Sequence, residues 1–123
     1  MAVDVLIVDD SAAIRKILQK MLGQAGLDVG KVLEAGDGLE ALEKMRSHGA
    51  HLILSDINMP NMDGMQLLLE LKSSVQYRHV PVIMITNDGG EARVVEAVQL
   101  GAAGYLRKPF TAEQIKEKLS TLF

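Results

Sequence analysis

The sequence predicts an α/β domain in which strand and helix alternate around a parallel sheet, and three observations carry that expectation. Short β-branched runs that end in polar or glycine residues alternate five times with longer stretches whose apolar residues fall at helical spacing. The connections are short, and parallel strands need a right-handed helical crossover, so helices should cover both faces of the sheet. A length of 123 residues suits one compact core and not two, so residues 1–123 are expected to form a single domain.

Each element has its own signal. The first strand is Val3 to Val8. A helix follows from near Ser11, with Ile14, Ile17, Leu18, Met21 and Leu22 on one face and Gly26 as its stop. Val29 to Ala35 is the second strand, and Asp37 then caps a helix carrying Leu39, Leu42 and Met45 that closes at Gly49. Leu52 to Ser55 is nearly continuous in apolar character, as a strand buried on both faces should be. A loop with Pro60, Asn61, Asp63 and Gly64 leads into a helix with Leu67, Leu68 and Leu71. Val80 to Ile85 is the fourth strand, Gly89 and Gly90 turn into a helix with Val94, Val95 and Val98, and Gly101 ends it. Gly104 to Arg107 and a helix from about Thr111, with Ile115, Leu119 and Leu122, complete the set. The doubly wound flavodoxin-like sheet is the size match, and in such sheets function sits at the carboxyl ends of the strands, near the switch point between the first and third.

Composition narrows the function classes. Apolar residues make up 48% of the chain and aromatics 3%, so the core must be aliphatic. The absence of cysteine removes disulfides, thiolate metal sites and cysteine nucleophiles, and suits a reducing, cytoplasmic location. A net charge of −3 lacks the basic stripe that a nucleic-acid backbone requires, so no direct nucleic-acid partner is expected. Met1 to Asp10 has no basic segment before its apolar run and so does not read as a signal peptide, and no run reaches transmembrane length, so no membrane insertion is expected.

Chemistry-bearing residues collect at one rim. Strand one ends in Asp9 and Asp10, strand three in Asp56, strand four in Thr86, and strand five in Lys108 followed by Pro109. Neighbouring strands lie about 4.8 Å apart. Three carboxylates there would each resist ionisation unless a cation were present. A hard divalent ion with oxygen ligands fits, with Mg²⁺ the cytosolic choice, Asp9 and Asp10 holding it, and Asp56 left with an oxygen free to attack. Carboxylates serve as phosphoryl acceptors, and phosphoryl transfer asks chiefly for positioning and charge neutralisation. Lys108 supplies a compact cation and Thr86 a hydroxyl donor. Singly, each residue reads equally well as a cap, a turn acid, a strand residue or a solvated lysine. Jointly, at one edge, they read as a phosphoacceptor site.

The residues Val8-Asp9-Asp10-Ser11, Ser55-Asp56-Ile57-Asn58-Met59-Pro60-Asn61-Met62-Asp63-Gly64, Thr86 and Lys108-Pro109-Phe110 resemble receiver domains of two-component response regulators. The similarity spans essentially the whole chain and is closest to the stand-alone chemotaxis regulators, particularly in Asn58 to Gly64 and in Gly104-Tyr105. The resemblance implies a (βα)5 sheet in the order 2-1-3-4-5. It makes Asp56 the phosphoacceptor and Asp9, Asp10 and the Asn58 backbone carbonyl metal ligands. Thr86 and Lys108 become phosphoryl contacts, and the Lys108-Pro109 bond is expected to be cis.

It further implies a signalling switch, not an enzyme that turns over a free substrate. Phosphorylation adds roughly −1.5 to −2 charge at Asp56. That draws Thr86 toward the new oxygens and lets the Tyr105 ring turn inward, which changes partner affinity on the helix 4–strand 5–helix 5 face. The partners implied are a histidine kinase as phosphodonor, a downstream target such as a flagellar motor switch protein, and a phosphatase. In similar proteins Asn58 and Asp88 control how long the phosphoryl group survives, which points to a short-lived phosphoprotein; Asp88 reads equally as a helix cap. Asn87 departs from the small residue usual after the threonine, and a larger amide there implies narrower access to Asp56.

His48, His51 and His79 lack the spacing of a shared metal site on one helix face. Met59, Met62 and Met65 read as core gap-fillers, and Glu113, Lys116, Glu117 and Lys118 as a solvated helix face. The alternatives are a receiver domain within a larger regulator, against which the ending near Phe123 weighs, and a Mg²⁺-dependent aspartyl-nucleophile phosphohydrolase. The hydrolase fits less well, because its second acid corresponds to Asn58 and no cap insertion encloses a substrate.

Overall fold

The computed structural model describes residues 2–87 and 91–123, with Glu91 described by its main chain alone. The elements alternate in chain order as β1 (Val3–Val8), α1 (Ala12–Gln24), β2 (Val29–Ala35), α2 (Gly38–Ser47), β3 (Leu52–Asp56), α3 (Gly64–Ser73), β4 (Val82–Thr86), α4 (Glu91–Gln99), β5 (Gly104–Arg107) and α5 (Ala112–Ser120). The strands form one parallel sheet in the order β2-β1-β3-β4-β5. This is the doubly wound order that the resemblance implied.

Strand alternation builds the two halves of the core. Leu6, Val8, Ile53 and Met84 face α2, α3 and α4, where they pack with Ala41, Met45, Leu68 and Ala97. Val5, Ile7, Leu54, Ile83 and Ile85 face the other way, onto Leu18 and Leu22 of α1 and Ile115 and Leu119 of α5. Each fully buried aliphatic side chain of this set contributes about 1.5–3 kcal/mol relative to exposure. Four helices start on side chains that accept an N–H of the first turn: Ser11 from Ile14, Asp37 from Glu40, Asp63 from Gln66 and Thr111 from Gln114. The glycines expected to stop α1, α2 and α4, Gly26, Gly49 and Gly101, all have positive φ.

Apart from one extra residue at the ends of β3 and β4, the structure departs from the sequence reading in two respects. Strand β4 starts at Val82, not Val80. Pro81 has no N–H to give a ladder. Val80 uses its own groups in the preceding turn, donating to Tyr77 O at 3.0 Å and accepting from Lys72 Nζ at 2.9 Å. The second departure concerns helix faces. Ile17, Leu39, Val95 and Val98 lie about half exposed, while the small residues Ala41 and Ala97 take the fully buried places. A small residue lets its helix approach the sheet closely and narrows the covered stripe, so apolar positions at its margin stay in water.

Strand β3 runs one residue further than its apolar run, to Asp56, and β4 runs to Thr86. The acceptor candidate and the hydroxyl are therefore terminal residues of strands with fixed register, Asp56 opposite Ile85 and Thr86 opposite Arg107. No described helix is long and apolar enough to cross a membrane.

Candidate functional site

The central strands β1 and β3 deliver acids side by side at the carboxyl edge of the sheet. One carboxylate oxygen each from Asp9, Asp10 and Asp56 lie within 4.8 Å of one another. Asp9 is 2% exposed and held on every side. Its Oδ1 accepts from Ser11 N at 2.9 Å, its Oδ2 from Lys108 Nζ at 3.1 Å, and its main-chain oxygen from Arg15 Nη1 at 2.6 Å. Arg15 is held in turn by Glu34 of β2, Nε to Oε1 at 3.0 Å. Asp10, by contrast, is exposed. A buried fixed acid beside an exposed one suits an ion that keeps part of its water.

Asp56 is fixed differently. Its Oδ1 accepts from the main-chain N–H of Ile57 at 2.7 Å, and its Oδ2 faces Lys108 Nζ at 3.7 Å, an ion pair without a direct hydrogen bond. Burial pushes the Asp56 carboxyl above its usual 3.8; the Lys108 ammonium pulls it down, the Asp9 carboxylate pushes it up again, and the N–H groups of Ile57 and Asn58 pull it down. The lysine alone does not offset the crowding. Three carboxylate oxygens within 4.8 Å of one another are the donors a hard divalent cation takes, and this cluster could hold one.

Lys108 follows β5, and its N–H donates to Thr86 O at 2.8 Å, which joins the ends of β4 and β5. The Lys108-Pro109 peptide bond is cis. Thr86 is fully buried. Asn58 lies exposed in the loop after β3, two residues beyond Asp56. Tyr105 is half-buried on β5, paired in register with Met84, and packs against the core half under α2, α3 and α4. Asn87 is exposed and shares a groove with Ile14, Ile17, Lys108 and Phe110. Asp88 lies outside the described residues.

Three supporting residues escaped the sequence reading. Arg15 grips the Asp9 carbonyl, and its only signal was a cation on the first turns of α1. Ser55, 1% exposed, donates its Oγ to the Asp56 carbonyl at 2.9 Å. Gly64 opens α3 with its N–H on Ile57 O at 2.7 Å, and a Cβ there would lie inside the contact radius of the Asp56 carbonyl. A glycine at the first position of a capped helix, where a side chain is ordinarily tolerated, was its signal.

Fold and site together define a doubly wound α/β domain with a carboxylate cluster that could hold a cation at its topological switch point. The family model for the response regulator receiver domain matches residues 5–120, and the chain belongs to that family. It is 39% identical over 118 residues to chemotaxis protein CheY1 of Helicobacter pylori, which covers 95% of this chain and 94% of that one. It is 39% identical over 119 residues to chemotaxis protein CheY-3 of Vibrio cholerae, covering 97% and 90%. The solved structure of Vibrio cholerae chemotaxis protein CheY4 superposes with a TM-score of 0.86 at 34% identity over 100% of both chains.

Proposed function

We propose that residues 1–123 form one receiver domain that accepts a phosphoryl group from a histidine kinase phosphohistidine onto Asp56. The observation that carries this reading is the convergence of Asp9, Asp10 and Asp56 within 4.8 Å, with Lys108 Nζ 3.7 Å from Asp56 Oδ2. Asp56 Oδ1 is engaged by Ile57 N–H, so Oδ2 is the accepting atom. Its lone pair forms the new O–P bond as the N–P bond of the phosphohistidine breaks, and the electron pair returns to the imidazole. Lys108 neutralises charge on the phosphoryl oxygens, and Thr86 donates its hydroxyl to one of them. Asp9, Asp10, Asp56 and the Asn58 main-chain carbonyl would hold Mg²⁺, which supplies charge neutralisation when bound.

The readout is a shift between two states. Thr86 drawn to the phosphoryl group makes room for Tyr105, and the α4–β5–α5 face changes its affinity for a target. Half-exposed Val95 and Val98 give α4 an apolar surface beside that strand. The chemotaxis relatives favour a motility role, with a flagellar motor switch protein as target, a phosphatase as counterpart and the cytoplasm as location. Asn58, Asn87 and Asp88 tune self-dephosphorylation, in which water attacks phosphorus and the Asp56 carboxylate leaves.

Intact mass after incubation with a small phosphodonor and Mg²⁺ tests the acceptor. One phosphoryl group should be gained by the unaltered protein and none by Asp56→Asn; a gain that survives this substitution overturns the assignment.

A further inference from the structure

The loop from β3 to α3, residues 57–63, carries the Asn58 carbonyl and is tied at its base by Gly64 N–H on Ile57 O at 2.7 Å. A second tie runs to a different part of the molecule. Asn61 Nδ2 donates to Asp37 Oδ2 at 2.7 Å, and Gly38 N–H donates to Met62 O at 3.0 Å. Gly38 is buried, and a Cβ there would come within 2.6 Å of Met62 Cγ, so the first turn of α2 lies directly on the loop.

Neither Asp37 nor Asn61 is explained by its own segment. Capping α2 needs one oxygen, and Asp37 Oδ1 does that by accepting from Glu40 N at 2.8 Å; Oδ2 is given to Asn61. Asn61 has φ +66°, left-handed backbone that glycine adopts with less strain. What asparagine adds is the amide that reaches Asp37. Asn58 sits between the two ties, one residue from Ile57 and three from Asn61, so losing the Asn61–Asp37 bond loosens the stretch that presents its carbonyl and leaves the outer tie to Gly38 N–H on Met62 O alone.

We propose that Asp37 and Asn61 form a latch that positions the Asn58 carbonyl and, through Ile57, the Asp56 carboxylate; both are positioning residues for the acceptor site. This rests on the phosphoacceptor reading above. Groups one step behind a metal's ligands typically change affinity by about 10–100-fold when removed.

Two variants cut the latch and spare the fold. Asp37→Ser keeps a good helix cap but is too short to hold Asn61. Asn61→Gly keeps the left-handed backbone and loses the amide. Asp37→Asn is the rescue, because an Asn61 amide turned over can accept where it formerly donated. Thermal unfolding, Mg²⁺ titration and amide hydrogen exchange at Asn58 and Met59 in metal-free protein are measured on all three. Both cutting variants should unfold near the unaltered protein, bind Mg²⁺ about tenfold more weakly and exchange faster at Asn58, with Asp37→Asn close to the unaltered protein in each. Unchanged Mg²⁺ affinity in both cutting variants, beside a loss in Asp10→Ala, overturns the latch. If the unaltered protein binds no Mg²⁺ the acidic-site reading fails, and the latch stands or falls on exchange at Asn58.

Discussion

Lys108 Nζ stands 3.1 Å from Asp9 Oδ2 and 3.7 Å from Asp56 Oδ2, so one ammonium from the end of β5 serves two carboxylates from two other strands. The three side chains are only 16%, 3% and 13% exposed, which takes the contact out of the screened surface regime. Replacing Lys108 by Met keeps much of the packing and removes the charge. In metal-free buffer the loss should be on the order of 2–3 kcal/mol, somewhat below a fully buried pair because the lysine keeps contact with water. Urea unfolding with and without Mg²⁺ checks this: a bound cation should recover part of the loss by mass action. A loss indifferent to Mg²⁺ would mean that the carboxylates do not share the lysine's charge.

The raised Asp56 pKa fixes the sign of a pH effect. A carboxyl whose folded value exceeds its ordinary 3.8 binds more protons folded than unfolded between those two values. Stability therefore falls as pH rises through that window, and the ionised Asp56 is a burden on the metal-free protein above it. Asp56→Asn should be more stable than the unaltered protein at neutral pH without Mg²⁺, and should lose this advantage in acid. Unfolding free energies across the acidic range for the two proteins provide the measurement, and Mg²⁺ should shrink the difference. A variant less stable at neutral pH would show that the Ile57 N–H and Lys108 outweigh burial.

Gly64 and Gly23 make a matched pair of glycine-to-alanine tests. A Cβ on Gly64 meets Asp56 and Ile57 main-chain atoms, which cannot rotate away, whereas a Cβ on Gly23 of α1 meets nothing within 4 Å. Gly64→Ala should lose about 1–3 kcal/mol by overpacking, and phosphoryl uptake should slow because the displaced atoms belong to the proposed acceptor. Gly23→Ala should gain up to about 0.5 kcal/mol from helix propensity and leave uptake unchanged. Chemical denaturation and the rate of mass gain distinguish the two, and equal effects would remove the special status of Gly64.

Much of the fold was legible because patterns repeat: β-branched runs, capping residues and terminal glycines gave the order of the ten elements, though the turn expected at Gly89 and Gly90 lies outside the described residues, and the polar residues at the strand ends lie at one rim. The error at Val80 arose because a buried valine beside Pro81 looks like a strand residue, while its hydrogen bonds go to Tyr77 and Lys72. The grip of Arg15 on the Asp9 carbonyl and the tie from Asp37 to Asn61 were not legible. The first spans six residues and the second 24, each through a single side chain, and such pairings have no period to detect. Sequence spacing gives the direction in which a carboxylate leaves a strand; what holds it there is partly a neighbouring N–H, from Ser11 or Ile57, and partly Lys108 from beyond another strand.

Helix α4 offers the sharpest check on which apolar residues belong to the core. Val95 and Val98 are 48% and 60% exposed, while Ala97 between them is fully buried against the sheet. Replacing Val95 or Val98 by Ser should change unfolding free energy by no more than about 0.5 kcal/mol, as for surface positions generally. Ala97→Leu must force a longer side chain into a closed space, with a loss of about 1–3 kcal/mol. If α4 instead buried its valines, the order would invert and the serine variants would be the damaging ones. On the proposed reading, the surface variants should also keep full phosphoryl uptake at Asp56 while weakening target binding, because that reading puts uptake at the β1, β3 and β5 ends and the target on the exposed face. Comparing mass gain with unfolding for Val95→Ser and Val98→Ser separates a surface held for a partner from one that holds the fold.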